Sequence, residues 1–388
     1  MTRSSTSCNT AVNADGKGNT DDKGRADTRI MTDCARPFML QPSGKDYLWG
    51  GNRLNTDFAK KIDMYPLAET WECSTHPDGP SRVCSGEFAG QLLRDVLKEH
   101  PEFLGSHPLT KDELPILIKL IDARQDLSVQ VHPDDAYAKE HENGSWGKSE
   151  MWYVLDADKD AELVYGFSHD ITSEKLRRSL ESGTVEKYLQ RVPVRRDDVF
   201  FVDAGTVHAI GAGVLIAEIQ QSSNLTYRMY DYGRKDKDGR ERELHIEKAL
   251  AVANFKSSSE PRQPLRVLRY RRGCAWELLC RCQYFQVERM LLNTQVSGET
   301  VDFRTGSNSF QVLLCIEGEC RISWKDEFSP DKMSACGRPD ADNTGGDTVP
   351  DGGEAAVLSL RKGDCVFIPA NSALLQISGT AQLLCVGC

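Results

Sequence analysis

Apolar residues recur at every second position in short runs along most of this chain, the period of a half-buried β-strand. In Leu127–His132, Leu127, Val129 and Val131 fall on one side while Ser128, Gln130 and His132 fall on the other. Lys148, Glu150 and Trp152 share one side of a second predicted strand. Further on, Ile216, Glu218 and Gln220 alternate with Leu215, Ala217 and Ile219, and Arg228 lies in a further alternating run, Thr226–Tyr230. Helical spacing is confined to two segments, Phe88–His100 and Thr172–Gln190. The second has Thr172 or Ser173 as N-cap, Glu174 in the first turn, and a stripe of Leu176, Leu180, Val185 and Leu189. Leu114–Leu120 fits either a helix or a short buried strand. Elsewhere short strands are punctuated by Gly, Pro, Asn and Asp, the pattern of an all-β sandwich or barrel.

An internal repeat organises these strands. Residues 196–206 (RDDVFFVDAGT) resemble 362–372 (KGDCVFIPANS) at a constant offset of 166 positions (364 − 198). Both read as turn, apolar strand, then a tight turn where Gly or Asn tolerates positive φ. At that offset His208 corresponds to Leu374, so the second copy keeps the strand and drops the imidazole. Two related β-domains follow, over 36–258 and 259–388, the first with a metal site and the second without. Thr172–Gln190 supplies a helical insertion in the first, at about 170–192. Residues 1–35, rich in Ser, Thr, Asn, Asp and Gly, cannot bury enough apolar surface to order themselves, and an insertion at about 329–354 is expected to be a disordered loop.

Composition narrows the function. A net charge of −10 argues against nucleic acid and against an anionic membrane. No apolar run approaches the roughly 20 residues of a membrane span. The first residues hold no secretory apolar core, and the 13 cysteines have no framework spacing, so a reducing cytoplasmic setting is expected, with thiols as small core fillers. Cys385 and Cys388 alone are weak evidence for a metal.

Gln130, His132, Glu150 and His208 are the candidate ligands of one divalent ion. Each alone reads more readily as a satisfied polar residue on a strand. Together they would leave several polar groups on inward faces, at about 1–3 kcal/mol each, unless something bound them. The mixed N/O set suits zinc and leaves iron, manganese and nickel open. Lys148, Glu218 and Arg228 would face the same polar cavity, which suits an oxyanion or a developing enediolate. Asp134, Asp135, Glu140 and Glu142 read as solvated, and His76 lies in a Gly/Pro-rich loop near Trp71 and Glu72.

Taken in order, Gln130-Val-His132-Pro133, Gly147-Lys148-Ser149-Glu150-Met151-Trp152, Ala204-Gly205-Thr206-Val207-His208-Ala209 and Glu218-Ile-Gln-Gln with Tyr227-Arg228 resemble the type I mannose-6-phosphate isomerases, zinc-dependent cupins, in their short bacterial-type branch. The upstream Leu67-Ala-Glu-Thr-Trp-Glu and Leu114-Pro-Ile-Leu-Ile-Lys119 fit as well. The resemblance implies a mainly β protein of two cupin (jelly-roll) barrels, the second degenerate. It places one Zn²⁺ per chain on Gln130, His132, Glu150 and His208, the essential arginine on Arg228, and further catalytic groups on Lys148 and Glu218. Ser128 and Lys119 match positions near the substrate phosphate. The implied reaction interconverts mannose 6-phosphate and fructose 6-phosphate through a cis-enediol, with Lys148 or Glu218 as base. The implied partner is a small phosphorylated sugar, and the expected state is a monomer or weak homodimer. Two rivals remain at this stage, a cupin Fe(II) dioxygenase and a non-catalytic sugar-phosphate-binding cupin.

Overall fold

The computed structural model describes residues 36–111, 113–235, 238–263, 266–296, 298–325 and 356–388. The polar stretch 1–35 and the insertion at 329–354 lie outside them. No helix among the described residues is long and apolar enough to cross a membrane.

Two antiparallel sheets build the site-bearing half. One has six strands in the order Val199–Val202, Glu150–Ala157, Val214–Gln221, Ile116–Ala123, Glu69–Cys73 and Ser43–Lys45. The other has five, in the order Tyr227–Tyr230, Val129–Val131, His208–Ile210, Glu162–Phe167 and Leu189–Pro193. Their facing sides share an apolar core in which Ile121, Trp152, Val154, Phe200 and Ile216 from the first sheet meet Leu163, Val192 and Ile210 from the second. This is a β-sandwich of cupin type, and the hydrogen-bonded order of each sheet is open rather than closed into a barrel. Ile116–Ala123 is buried at every position, which is why its sequence runs apolar without alternating and reads ambiguously as helix.

A ten-stranded sheet forms the rest. Its path runs Leu268–Arg271, Cys274–Arg281, Gln286–Asn293, Leu375–Gly387, Gln311–Trp324, Cys365–Ile368, Phe38–Gln41, Arg82–Val83. Val301–Phe303 and Ala356–Arg361 pair alongside it. The first described strand therefore belongs to the C-terminal sheet, with Phe38 opposite Phe367 and their rings stacked 5.3 Å apart.

The repeat holds at atomic detail. Asp198 and Asp364 accept from the backbone N–H of Arg195 and Arg361 at 3.0 and 2.7 Å. Asp197 and Gly363 both have positive φ, as do Gly205 and Asn371. Val154 and Cys315 each exchange two backbone hydrogen bonds with the corresponding turn. Leu374, where the first copy has His208, is half exposed.

Two expected helices are shorter than their apolar stripes. Phe88–His100 is helical over Leu93–Glu99; Phe88 instead packs edge-on against Phe38 and Phe103. Thr172 caps a helix over Ser173–Glu181, accepting from Lys175 N, but Gly183 at φ +66 ends it. Val185 then lies in a short 3₁₀ turn, and Leu189 opens a strand paired with Glu162–Phe167. The stripe from Leu176 to Leu189 is real burial shared by three elements rather than one helix face.

Candidate metal centre and its cavity

The site is assembled across the sandwich. Gln130 and His132 share a side because strand side chains alternate, and His208 pairs directly opposite Gln130 on the adjacent strand. Glu150 opens a strand of the facing sheet. Ligand atoms of His132, Glu150 and His208 all lie within 4.8 Å of one another, and all three residues are buried. Glu150 Oε1 is 3.3 Å from His208 Nε2, and Oε2 is 3.7 Å from His132 Nε2. The Gln130 amide nitrogen, rather than its oxygen, is the atom 3.3 Å from His208 Nε2.

The donor set fits a cation. His132 Nδ1 donates to the Leu225 carbonyl and His208 Nδ1 to the Thr206 carbonyl, both at 2.8 Å. Each ring therefore turns an Nε2 lone pair inward, the arrangement that outer hydrogen bonds impose on metal-ligating histidines. Burial, together with the Lys148 ammonium, holds His132 well below its ordinary pKa; burial lowers His208 to about 4. Both rings are neutral near pH 7. Neither Glu150 oxygen accepts a hydrogen bond of good geometry, although Lys148 Nζ lies 2.8 Å from Oε2. A buried carboxylate with one ammonium near Oε2 and no hydrogen bond on Oε1 keeps a lone pair open to a further positive charge. Burial and the Glu218 carboxylate push Glu150 upward, which is the cost of its burial expressed as proton affinity.

Lys148 is held by backbone: its N–H donates to Pro133 O, and the N–H of Gly147 donates to Asp135 Oδ1 at 2.8 Å. Asp135 also accepts from Gln221 Nε2 and from the Tyr284 hydroxyl. It is thus a structural acceptor rather than a solvated acid. Glu142 is likewise engaged, accepting from Tyr227 and pairing with Lys248, whereas Asp134, which caps the following helix, and Glu140 are exposed as expected. Lys148 Nζ is 3.2 Å from His132 Nε2 and 3.8 Å from Glu218 Oε1.

Beside this cluster lies a cavity of about 260 Å³, lined in part by Ser128, Gln130, Lys119, Lys148, Glu218 and Arg228. The sequence-derived candidates therefore converge. Glu218 sits between Lys119, at 3.0 Å, and Trp152 Nε1, which donates at 3.2 Å. Burial raises the Glu218 carboxyl, but Lys119 and Lys148 more than offset it and keep it ionised. Lys119, itself buried, also faces Glu69 at 3.8 Å and the Trp71 ring, and these carboxylates outweigh burial to raise its pKa. Arg228 Nη1 donates to the Glu243 carbonyl at 2.8 Å, while its buried Nε has no hydrogen-bond partner. His76 stays outside, its ring edge-on to Trp71.

Sequence reading missed Tyr47, Trp49, Glu69, Asn224, Thr226 and Arg242, which also line the cavity. Glu69 alternates with Trp71 within the Leu67-Ala-Glu-Thr-Trp-Glu run, a signal that could have placed it; Arg242 comes from a loop with no periodicity.

A cupin-type sandwich enclosing this donor cluster defines a protein with a candidate metal centre opening on a polar cavity. Residues 38–169 match the family model for the phosphomannose isomerase type I catalytic domain. Mannose-6-phosphate isomerase ManA of Bacillus subtilis (strain 168) is 40% identical over 286 residues, covering 74% of this chain and 87% of that protein. The crystal structure of mannose 6-phosphate isomerase from Bacillus subtilis superposes with a TM-score of 0.75 at 31% identity, covering 91% of this chain and 99% of that one. A zinc-bound mannose 6-phosphate isomerase structure shares the fold at a TM-score of 0.65 and 19% identity, over 90% of this chain and 98% of its own. The chain belongs to the type I mannose-6-phosphate isomerase family.

Proposed function

We propose that the chain is a zinc-dependent mannose-6-phosphate isomerase acting on the open-chain sugar phosphate through a cis-enediol, in the cytoplasm. The observation that carries it is the convergence of two inward-facing neutral imidazoles and a buried carboxylate whose near cation is Lys148, beside a cavity holding Lys148, Glu218 and Arg228. Gln130, His132, Glu150 and His208 would hold one Zn²⁺. When bound, the ion supplies Lewis acidity for the sugar's reacting oxygens.

The chain's own residues do the rest. Lys148, beside Glu150 and His132, would act as the neutral amine, a form that a bound dication and Arg228 favour, taking the proton from one reacting carbon and returning it to the other from the resulting ammonium. Glu218 is better suited to fixing that ammonium than to abstracting a proton, because Lys119 and Lys148 keep it a weakly basic carboxylate. Arg228, which has no carboxylate partner among the described residues, offers charge to a developing enediolate. Lys119 and Ser128 remain substrate-binding candidates as members of the cavity wall. We also take 36–258 as the catalytic cupin and 259–388 as its degenerate copy, a reading favoured by the matching turns, with Phe38–Gln41 and Arg82–Val83 lent by the first to the sheet of the second.

Elemental analysis of the purified protein, coupled to a fructose 6-phosphate assay before and after chelation, tests this reading. Near-stoichiometric zinc is expected, with activity lost on chelation and restored by zinc. Full activity in metal-free protein would refute it, and oxygen consumption by iron-loaded protein would favour a dioxygenase.

A further inference from the structure

Charge is unevenly paired around the cavity. At its floor every cation faces carboxylates: Lys119 lies between Glu218 and Glu69, and Lys148 between Glu150 and Glu218. On the side formed by Arg228 and Arg242 the balance reverses. Arg242 bonds to Asp231 through Nε at 2.8 Å and Nη2 at 2.5 Å, and Arg234 pairs with the same carboxylate. Two guanidiniums thus share one acid. Burial, then Arg242 and more weakly Arg234, lower the Arg228 pKa against the pull of Asp231, so Arg228 adds a third cation near that one acid, with the Glu243 carbonyl as its side-chain hydrogen-bond partner. The Tyr47 phenol lines the same cavity, and burial and then Glu69 push it up to about 12, so it stays a neutral donor.

A molecule with hydroxyls at one end and a dianion at the other matches this polarity. We propose that Arg242 binds the phosphate of the substrate, with the Asp231 carboxylate holding its guanidinium in place. The inference rests on the isomerase reading. It moves the phosphate away from Lys119, whose charge is already met by two buried carboxylates, toward the arginines where positive charge is in excess. Arginine suits the role because its planar fork meets two phosphate oxygens at once, while its remaining N–H groups keep the Asp231 contact.

The test is calorimetric titration of inorganic phosphate into the zinc-loaded protein and into Arg242→Gln, paired with steady-state kinetics on mannose 6-phosphate. Phosphate is expected to bind the variant about tenfold or more weakly, with KM raised by a similar factor and the loss falling on KM rather than kcat. Phosphate binding unchanged by the substitution, or absent from the unsubstituted protein, overturns the proposal; so does a loss carried by kcat alone. Should circular dichroism show Arg242→Gln unfolded, Arg242→Lys, which keeps the charge but not the fork, is expected to weaken phosphate binding several-fold, and undiminished binding there is equally fatal. The calorimetric arm needs no turnover. A protein that binds phosphate through Arg242 yet isomerises nothing would sink the isomerase reading and leave this assignment standing.

Discussion

Two carbonyl oxygens, of Leu225 and Thr206, decide which nitrogen of each site histidine faces inward. The tautomer needed for coordination is therefore set by the fold before any ion arrives. Glu150 is the residue strained by that readiness, and its replacement separates function from stability. Glu150→Gln is expected to lower zinc affinity at least about 100-fold, more than loss of an outer hydrogen bond would. In chelated samples the same variant should melt at or above the unsubstituted protein, because a neutral amide relieves a buried charge. Metal content and thermal midpoints measured side by side check both halves. At Arg228 the expectation is reversed: Arg228→Ala should retain its zinc and lose about 10²–10³-fold in kcat, read by elemental analysis alongside the coupled assay. Parallel loss of metal and turnover would deny Arg228 a role in charge stabilisation.

At the scale of elements, the loop before the Glu150 strand is tied down by Asp135, which accepts from Gly147, Gln221 and Tyr284. Asp135→Ala leaves those donors without their acceptor and should cost about 1–3 kcal/mol, measured from denaturant midpoints. The strand Tyr227–Tyr230 is followed directly by Asp231, and the two arginines hold its carboxyl below the ordinary 3.8 although burial pushes the other way. A depressed carboxylate contributes stability above its unfolded pKa and loses it as pH falls through the folded one. The gap in thermal midpoint between the unsubstituted protein and Asp231→Asn should thus be full above the ordinary 3.8 and close as the pH falls below it. A gap that widened with acidification would contradict the pairing.

Elements also explain what could be read in advance. Gln130, His132 and Glu150 were legible because period-two alternation assigns a side to each residue with no knowledge of its partners. Glu69, Tyr47 and Arg242 were not, because their place at the cavity depends on which strands and loops lie side by side. Glu69 reaches Lys119 only because its strand pairs with Ile116–Ala123, and local pattern does not encode that choice. The helix expected to reach Gln190 failed for a related reason: apolar spacing reports burial, while Gly183 decided where the helix stopped.

For the molecule as a whole, ligand-linked stability is the simplest global readout. Free zinc at a hundred times its dissociation constant should stabilise the folded state by about 2.7 kcal/mol, so the thermal midpoint should rise on zinc addition and fall with a chelator. The ten-stranded sheet carries a longer-range dependence. Phe38 and Leu40, both buried, have their partners at Phe367 and Cys365, over three hundred positions along the chain. During synthesis the opening strand must wait for nearly the entire polypeptide to emerge, holding apolar side chains without shelter in the meantime. A chain cut after position 258 would carry every candidate zinc ligand and still be permanently deprived of that late-arriving partner. Such a truncation should accumulate in the insoluble fraction of a cell lysate, and its recovery as soluble, zinc-binding material would show that Phe38–Gln41 can do without Cys365–Ile368.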